Sequence, residues 1–196
     1  MLCLPIKTAA ALFTLVLCWG CGTPPTVVTN NAPQAPTTGA RGELQFKAPG
    51  DWISERPTSS MRVSQYQLPA AEGDAESASL VVYYFGQGQG GSVEANLQRW
   101  IGQMQTPDGK PSTNAKTENT NVNGLKVTLL DVSGTYTGSD MGGGGPSQSK
   151  SNYRMRAGVI DTPKGAYFIK LVGPEKTVAR WDQTFQDFVK SAEFKG

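Results

Sequence analysis

From Gly42 onward short apolar runs bounded by turn residues read as strands, and two stretches carry a helical stripe instead. Leu44 to Lys47 is a short strand stopped by Pro49-Gly50, and Trp52-Ile53 resumes after that turn. Met61–Leu68 and Ser79–Phe85 are the next two strands; the second, SLVVYYF, is apolar at successive positions and therefore on both faces. A helix is predicted from Ser92, with Val93, Leu97, Trp100, Ile101 and Met104 on one stripe, Ser92 as its N-cap and Glu94 in its first turn. A weak polar strand over 115–120 leads to Asn123-Gly124, a hairpin turn. Leu125–Val132 is a firm strand with room to run on to Tyr136. Tyr153–Asp161 and Ala166–Val172 form a hairpin around Thr162-Pro163-Lys164-Gly165. Gly173-Pro174 opens the last helix, whose buried stripe is Val178, Trp181, Phe185, Phe188 and Ala192.

Strands that are apolar on both faces need cover on both sides, and hairpin-length links favour antiparallel neighbours. The expected class is α+β: a three-layer α/β/α sandwich with a central, mostly antiparallel sheet and two main helices.

The first residues follow a different pattern. Lys7 precedes an apolar run of ten residues, Thr8–Leu17, and small residues follow near Cys21. As a helix this run, or the thirteen residues through Gly20, rises about 15–20 Å, short of the roughly 30 Å hydrocarbon core, so it reads as an export signal over 1–20. Leu17-Cys18-Trp19-Gly20-Cys21 resembles a bacterial lipobox, with small Gly20 before the cysteine and Cys18 where Leu is usual. That resemblance implies lipidation of Cys21, a membrane lipid anchor and, with Gly22 and not Asp after the cysteine, the outer membrane. Residues 21–41 contain four Pro and five Thr and almost no charge, the composition of a disordered tether. A single domain over 42–196 follows.

Composition narrows the chemistry. There is no His, and all three Cys lie at positions 3, 18 and 21. Ser-His-Asp and Cys-His catalysis, zinc motifs and a disulfide framework in the domain are therefore excluded. Beyond residue 20, 17 basic residues stand against 16 acidic ones, so no basic surface for nucleic acid is expected. Asp131, Asp140, Asp161 and Glu175 have neither calcium-loop spacing nor a DxDxD cluster, and no metal or other cofactor is expected.

Two constellations could hold a ligand. Gly86-Gln87-Gly88-Gln89-Gly90-Gly91 spells GxGxxG between a strand and a helix, where backbone N–H groups can face an anion. Dinucleotide binding also needs a βαβ crossover and a later acidic residue, and only a loop, Thr106–Pro111, follows this helix. The bland alternative is a flexible turn; Gly88, Gly90, Gly91 and Ser92 are the candidate anion contacts. The run Gly142–Gly145 lacks the Lys-Ser/Thr of a P-loop and reads as a disordered connection. Arg154 and Arg156 share one strand face. If that face is covered they must meet carboxylates or carbonyls, and an anion pocket is conceivable; at the sheet's end they are solvated, which is the favoured expectation. Trp52, Trp100 and Trp181 read as core anchors.

The opening Phe46-Lys47-Ala48-Pro49-Gly50-Asp51-Trp52, the order strands–helix–strands–helix and the closing strand-Gly173-Pro174-helix resemble the PsbP/Mog-type fold, and more closely the bacterial lipoproteins of that type. The resemblance spans about 42–195. Its relatives include a photosystem II extrinsic subunit and a Ran-binding protein, which implies a binding or assembly module; no functional residue of either maps onto this sequence. The expectation is a non-catalytic lipoprotein tethered in the bacterial envelope, facing the periplasm, with a protein partner. The alternative is a periplasmic binder of small ligands or anions, and a third reading is an envelope hydrolase using acids alone.

Overall fold

The computed structural model describes residues 43–138 and 149–195; Cys21, the 1–20 and 21–41 segments, Asp140 and the glycines at 142–145 lie outside them. In chain order the elements are β1 (Leu44–Gln45), β2 (Ile53–Glu55), β3 (Arg62–Leu68), β4 (Ala78–Tyr84), α1 (Val93–Gly102), β5 (Met104–Gln105), β6 (Lys116–Val122), β7 (Leu125–Tyr136), β8 (Lys150–Thr162), β9 (Gly165–Pro174), α2 (Glu175–Arg180), α3 (Asp182–Lys190) and β10 (Glu193–Phe194).

Eight strands form one sheet in the order β2-β3-β4-β9-β8-β7-β5, with β6 also paired to β7; β1 and β10 form a separate two-stranded sheet. Every pairing among the described strands is antiparallel. This is an α+β fold built on an antiparallel sheet, with three helices among the described residues. The hairpins follow their turn chemistry. Asn123 and Gly124 hold φ of 48° and 83°, the left-handed pair that a two-residue turn matched to strand twist requires. Thr162 pairs with Gly165 across Pro163-Lys164, and the Thr162 hydroxyl donates to the Gly165 carbonyl at 2.6 Å.

Strands apolar on both faces do bury both faces. Val178, Phe185, Phe188 and Val189 of α2 and α3 join Leu80, Val127, Ile160 and Leu171 in one cluster. Trp100 of α1 joins Val81, Leu130, Met155 and Phe168 in a second. Each fully buried Phe contributes about 2–3 kcal/mol of transfer free energy, so these rings anchor the helices to the sheet. Trp52, Trp100 and Trp181 are all buried, as core anchors should be.

Three local expectations are corrected. The last helix is two: Trp181 ends α2 and starts α3 with φ −97° and ψ 7°. Its indole N–H is tied to the Pro69 carbonyl at 2.8 Å, and Asp182 is drawn toward two arginines, so the axis breaks between them. Met104 leaves the α1 stripe for β5, because Gln103 caps the helix and its carbonyl accepts from the Thr137 backbone at 2.9 Å. The first strand shrinks to Leu44–Gln45 and pairs with β10 near the C-terminus, a partner with no local signature.

Candidate functional site

Arg154 and Arg156 sit on β8, opposite Ser133 and Asp131 of β7 and Gly173 and Leu171 of β9. They share the face that α2 and α3 cover, and Arg156 lies 5.4 Å from the centroid of the Phe185 ring. The expectation that they are solvated is overturned: Arg156 is 7% exposed. Covered guanidiniums need anions, and two aspartates supply them. Arg154 Nε and Nη2 donate to the two oxygens of Asp131 at 2.8 and 2.7 Å, a bidentate fork. Arg154 Nη2 also reaches Asp182 Oδ1 at 3.2 Å, and Arg156 Nη1 donates to the same oxygen. Arg156 lies 3.7 Å from Asp131, and Gln186 donates to the other oxygen of Asp182 at 3.1 Å. Two cations and two anions thus tie the sheet to the first residue of α3.

Electrostatics in this cluster favour ionised partners. Burial raises the Asp131 carboxyl, but the Arg154 hydrogen bond and the charges of Arg154, Arg156 and Lys116 outweigh it and hold the group below the ordinary aspartate value. The Asp131 hydrogen bond raises Arg154 despite burial, with the charges of Asp131, Asp182 and Glu175 adding to it. Asp131 is therefore a carboxylate at neutral pH and a poor general acid.

Beside the cluster the helical cover stops and a polar cleft opens. One recess of about 220 Å³ is lined by Asn114, Lys116, Asp131, Val132, Ser133 and Arg154. The adjoining recess, about 450 Å³, shares Asn114 and Ser133 and is bounded by Gln105, Thr106, Pro107, Ser112, Gly134, Thr135, Ser151, Asn152 and Glu175. Ser112 donates to the Ser133 carbonyl at 2.8 Å and Asn114 accepts from the Ser133 backbone at 3.2 Å, fixing the 105–114 wall to β7. Ser133 in turn donates to Glu175 at 3.2 Å across the cleft.

The glycine turn lies elsewhere. Gly165, at the start of β9, abuts Gln87, whereas Gly173 pairs with Arg154, so eight residues of strand, roughly 26 Å, separate the two candidate sites. Ser92 is the N-cap of α1, its hydroxyl accepting from the Ala95 backbone at 3.1 Å. Gly88, Gly90 and Gly91 all have positive φ. A Cβ on Gly90 would stand 2.5 Å from the Phe168 ring, and the Gly90 carbonyl accepts from the buried Asn96 amide at 2.8 Å. The turn is shaped by close packing, and β5 after α1 runs antiparallel to β7 rather than completing a crossover.

Sequence reasoning passed over two polar groupings. Lys170 is buried in β9, donating to Gln103 at 2.8 Å and to the Tyr136 hydroxyl at 2.9 Å. A lysine inside the apolar run YFIKLV was a usable signal of this. The Glu76 carboxylate, two residues before β4, accepts from Lys150 and from the Tyr153 hydroxyl, and these bonds lower its pKa; no local pattern points to a residue 74 or more positions away. Among the described residues no group of three metal-ligating side chains occurs.

No protein-family model matches the chain, and no curated protein matches it. Solved structures do. The chain is similar to a protein of unknown function from Pseudomonas aeruginosa, with 13% identity and a TM-score of 0.47 over 74% of this chain and 98% of that one. It is also similar to the cyanobacterial PsbP (CyanoP) of Synechocystis, with 12% identity and a TM-score of 0.47 over 78% of this chain and 87% of that one.

Proposed function

We propose that this is a bacterial envelope lipoprotein, anchored through Cys21 and facing the periplasm, most simply at the outer membrane. Its domain is read as a PsbP/Mog-type three-layer α/β/α sandwich, the two buried clusters being its two interlayer cores. Its role is non-catalytic: a module that binds a protein partner or assists assembly at the membrane. The observation that carries the non-catalytic part is the use made of the charges between sheet and helix. Arg154, Arg156, Asp131 and Asp182 neutralise one another between sheet and helix, and Asp131 is shifted toward the carboxylate form. Hydrolysis by paired acids needs one carboxyl shifted the other way.

Metabolic palmitate labelling of the wild type and of Cys21→Ala tests the anchor. Label on the wild type and none on the variant, which accumulates as precursor, is the expected result; label persisting on Cys21→Ala removes the anchor from the proposal. Crosslinking of the anchored protein in its own envelope tests the partner, with one stoichiometric partner expected.

The cleft favours a second reading, a periplasmic binder of small polar ligands. It is a concavity next to the sheet's uncovered end, lined by hydroxyl and amide groups that can accept and donate.

A further inference from the structure

Asn123-Gly124 is the one Asn-Gly step in the chain, and both residues are exposed. Glycine has no Cβ to shield its own backbone nitrogen, so this is the step at which an asparagine amide is most open to attack by the main chain. Val122 and Leu125 close the hairpin, which leaves the Gly124 N–H outside the β6–β7 ladder. The positive φ values at both positions are those of a type I′ turn. Turning over the central peptide of such a turn gives type II′, the other turn that suits a two-residue hairpin. The flip takes Asn123 ψ to about −120°, where the Gly124 nitrogen reaches the Asn123 Cγ once the side chain follows. The strand pairs on either side are kept. Among the described residues, the side-chain bond that opposes the flip is Asn123 Nδ2 donating to the Ala192 carbonyl at 2.9 Å.

We propose that Asn123 is a site of spontaneous deamidation, and that its product unhooks this turn from the C-terminal segment. The Gly124 nitrogen gives its proton to hydroxide and attacks the Asn123 Cγ. The bond from Cγ to Nδ2 breaks, and ammonia leaves after taking a proton from water, which restores the hydroxide. Water then opens the cyclic imide at either carbonyl, giving aspartate or isoaspartate. The net change is water consumed and ammonia released, with no oxidant or reductant. The Ala192 carbonyl is then left facing a carboxylate, which has no hydrogen to donate. Ala192 is fully buried and immediately precedes β10, where Phe194 pairs with Leu44 and the Lys195 N–H donates to the Glu43 carbonyl at 2.9 Å. Losing the Ala192 contact therefore acts on the pairing that joins the two ends of the domain. Isoaspartate also adds a methylene to the main chain, which a two-residue turn absorbs only by disturbing the strand register.

The test holds the full-length chain in mildly alkaline buffer, with the same chain in urea alongside, and maps both by peptide mass spectrometry. Aspartate and isoaspartate are expected at Asn123, with Asn96, Asn114, Asn119, Asn121 and Asn152 intact. The folded rate should be no more than about a hundredfold below the rate in urea, the factor set by one lost hydrogen bond and a strained turn. Asn123→Asp makes the product directly, and its Lys195 amide should exchange with solvent about threefold faster than in wild type, or more. Asn121→Asp, two residues earlier in β6 and equal in charge, should leave that amide unchanged. Exchange of the Ile160 amide, in the core, reports global unfolding and separates it from local release. A folded chain that keeps Asn123 while the chain in urea converts, or that converts first at another asparagine, overturns the site. Lys195 exchange that is unchanged in Asn123→Asp, or that rises only together with Ile160, overturns the unhooking.

Discussion

Asp182→Asn is the sharpest probe of the ion-pair cluster. The substitution keeps the shape of the side chain but removes the charge that receives Arg156 Nη1 and, at 3.2 Å, Arg154 Nη2. Arg156, its side chain 9% exposed, then keeps only Asp131, at 3.7 Å. Breaking a fully buried pair from one side costs about 3–5 kcal/mol. Asp182 retains 27% exposure and Arg154 keeps its bidentate fork, so the expected loss is about 2–3 kcal/mol. For a domain of this size that lowers the thermal midpoint by about 5–10 °C. Arg156→Met should cost less, about 1.5 kcal/mol or under, because it removes a desolvated charge and keeps an aliphatic stem on the Phe185 ring. Lys164→Ala, which removes the exposed pair with Glu43, serves as the control at about 0.5 kcal/mol or less. Thermal unfolding followed by near-ultraviolet circular dichroism reads all three. A midpoint for Asp182→Asn within 2 °C of wild type, or a larger loss for Arg156→Met than for Asp182→Asn, would refute the clamp.

Three further outcomes are expected. Asp131 is more acidic folded than unfolded, so the stability it adds is complete above its unfolded value of about 3.9 and is lost as pH falls through the lower folded value. Urea unfolding between pH 5 and pH 2 should therefore show a shallower acid limb in Asp131→Asn; parallel limbs would contradict the shift. Asp74→Ala takes the shared acceptor from the Thr177 backbone N–H (2.9 Å) and hydroxyl (2.6 Å), the first-turn cap that Pro174 does not provide, and should cost about 1–2 kcal/mol in chemical denaturation. Gly90→Ala forces a side chain onto φ of 91° and into the Phe168 ring, a loss of about 2–4 kcal/mol measurable in the same way.

What the sequence determined by itself was local. Apolar runs rich in β-branched and aromatic residues located the long strands, Asn123-Gly124 and Thr162–Gly165 located their turns, and Ser92 with the stripe behind it located α1, because these features depend on residues within a few positions of one another. The i, i+2 spacing of Arg154 and Arg156 likewise established that they share a face. Which layer lies on that face was decided only by the tertiary structure. Asp131 and Asp182 stand 23 and 26 residues from their arginines, Asp74 caps a helix 103 residues away, and β1 finds β10 at the other end of the domain. Periodicity says which side chains point together, whereas a charge is solvated or neutralised according to what packs over it, and that cover comes from distant segments brought in by burial of the two apolar clusters.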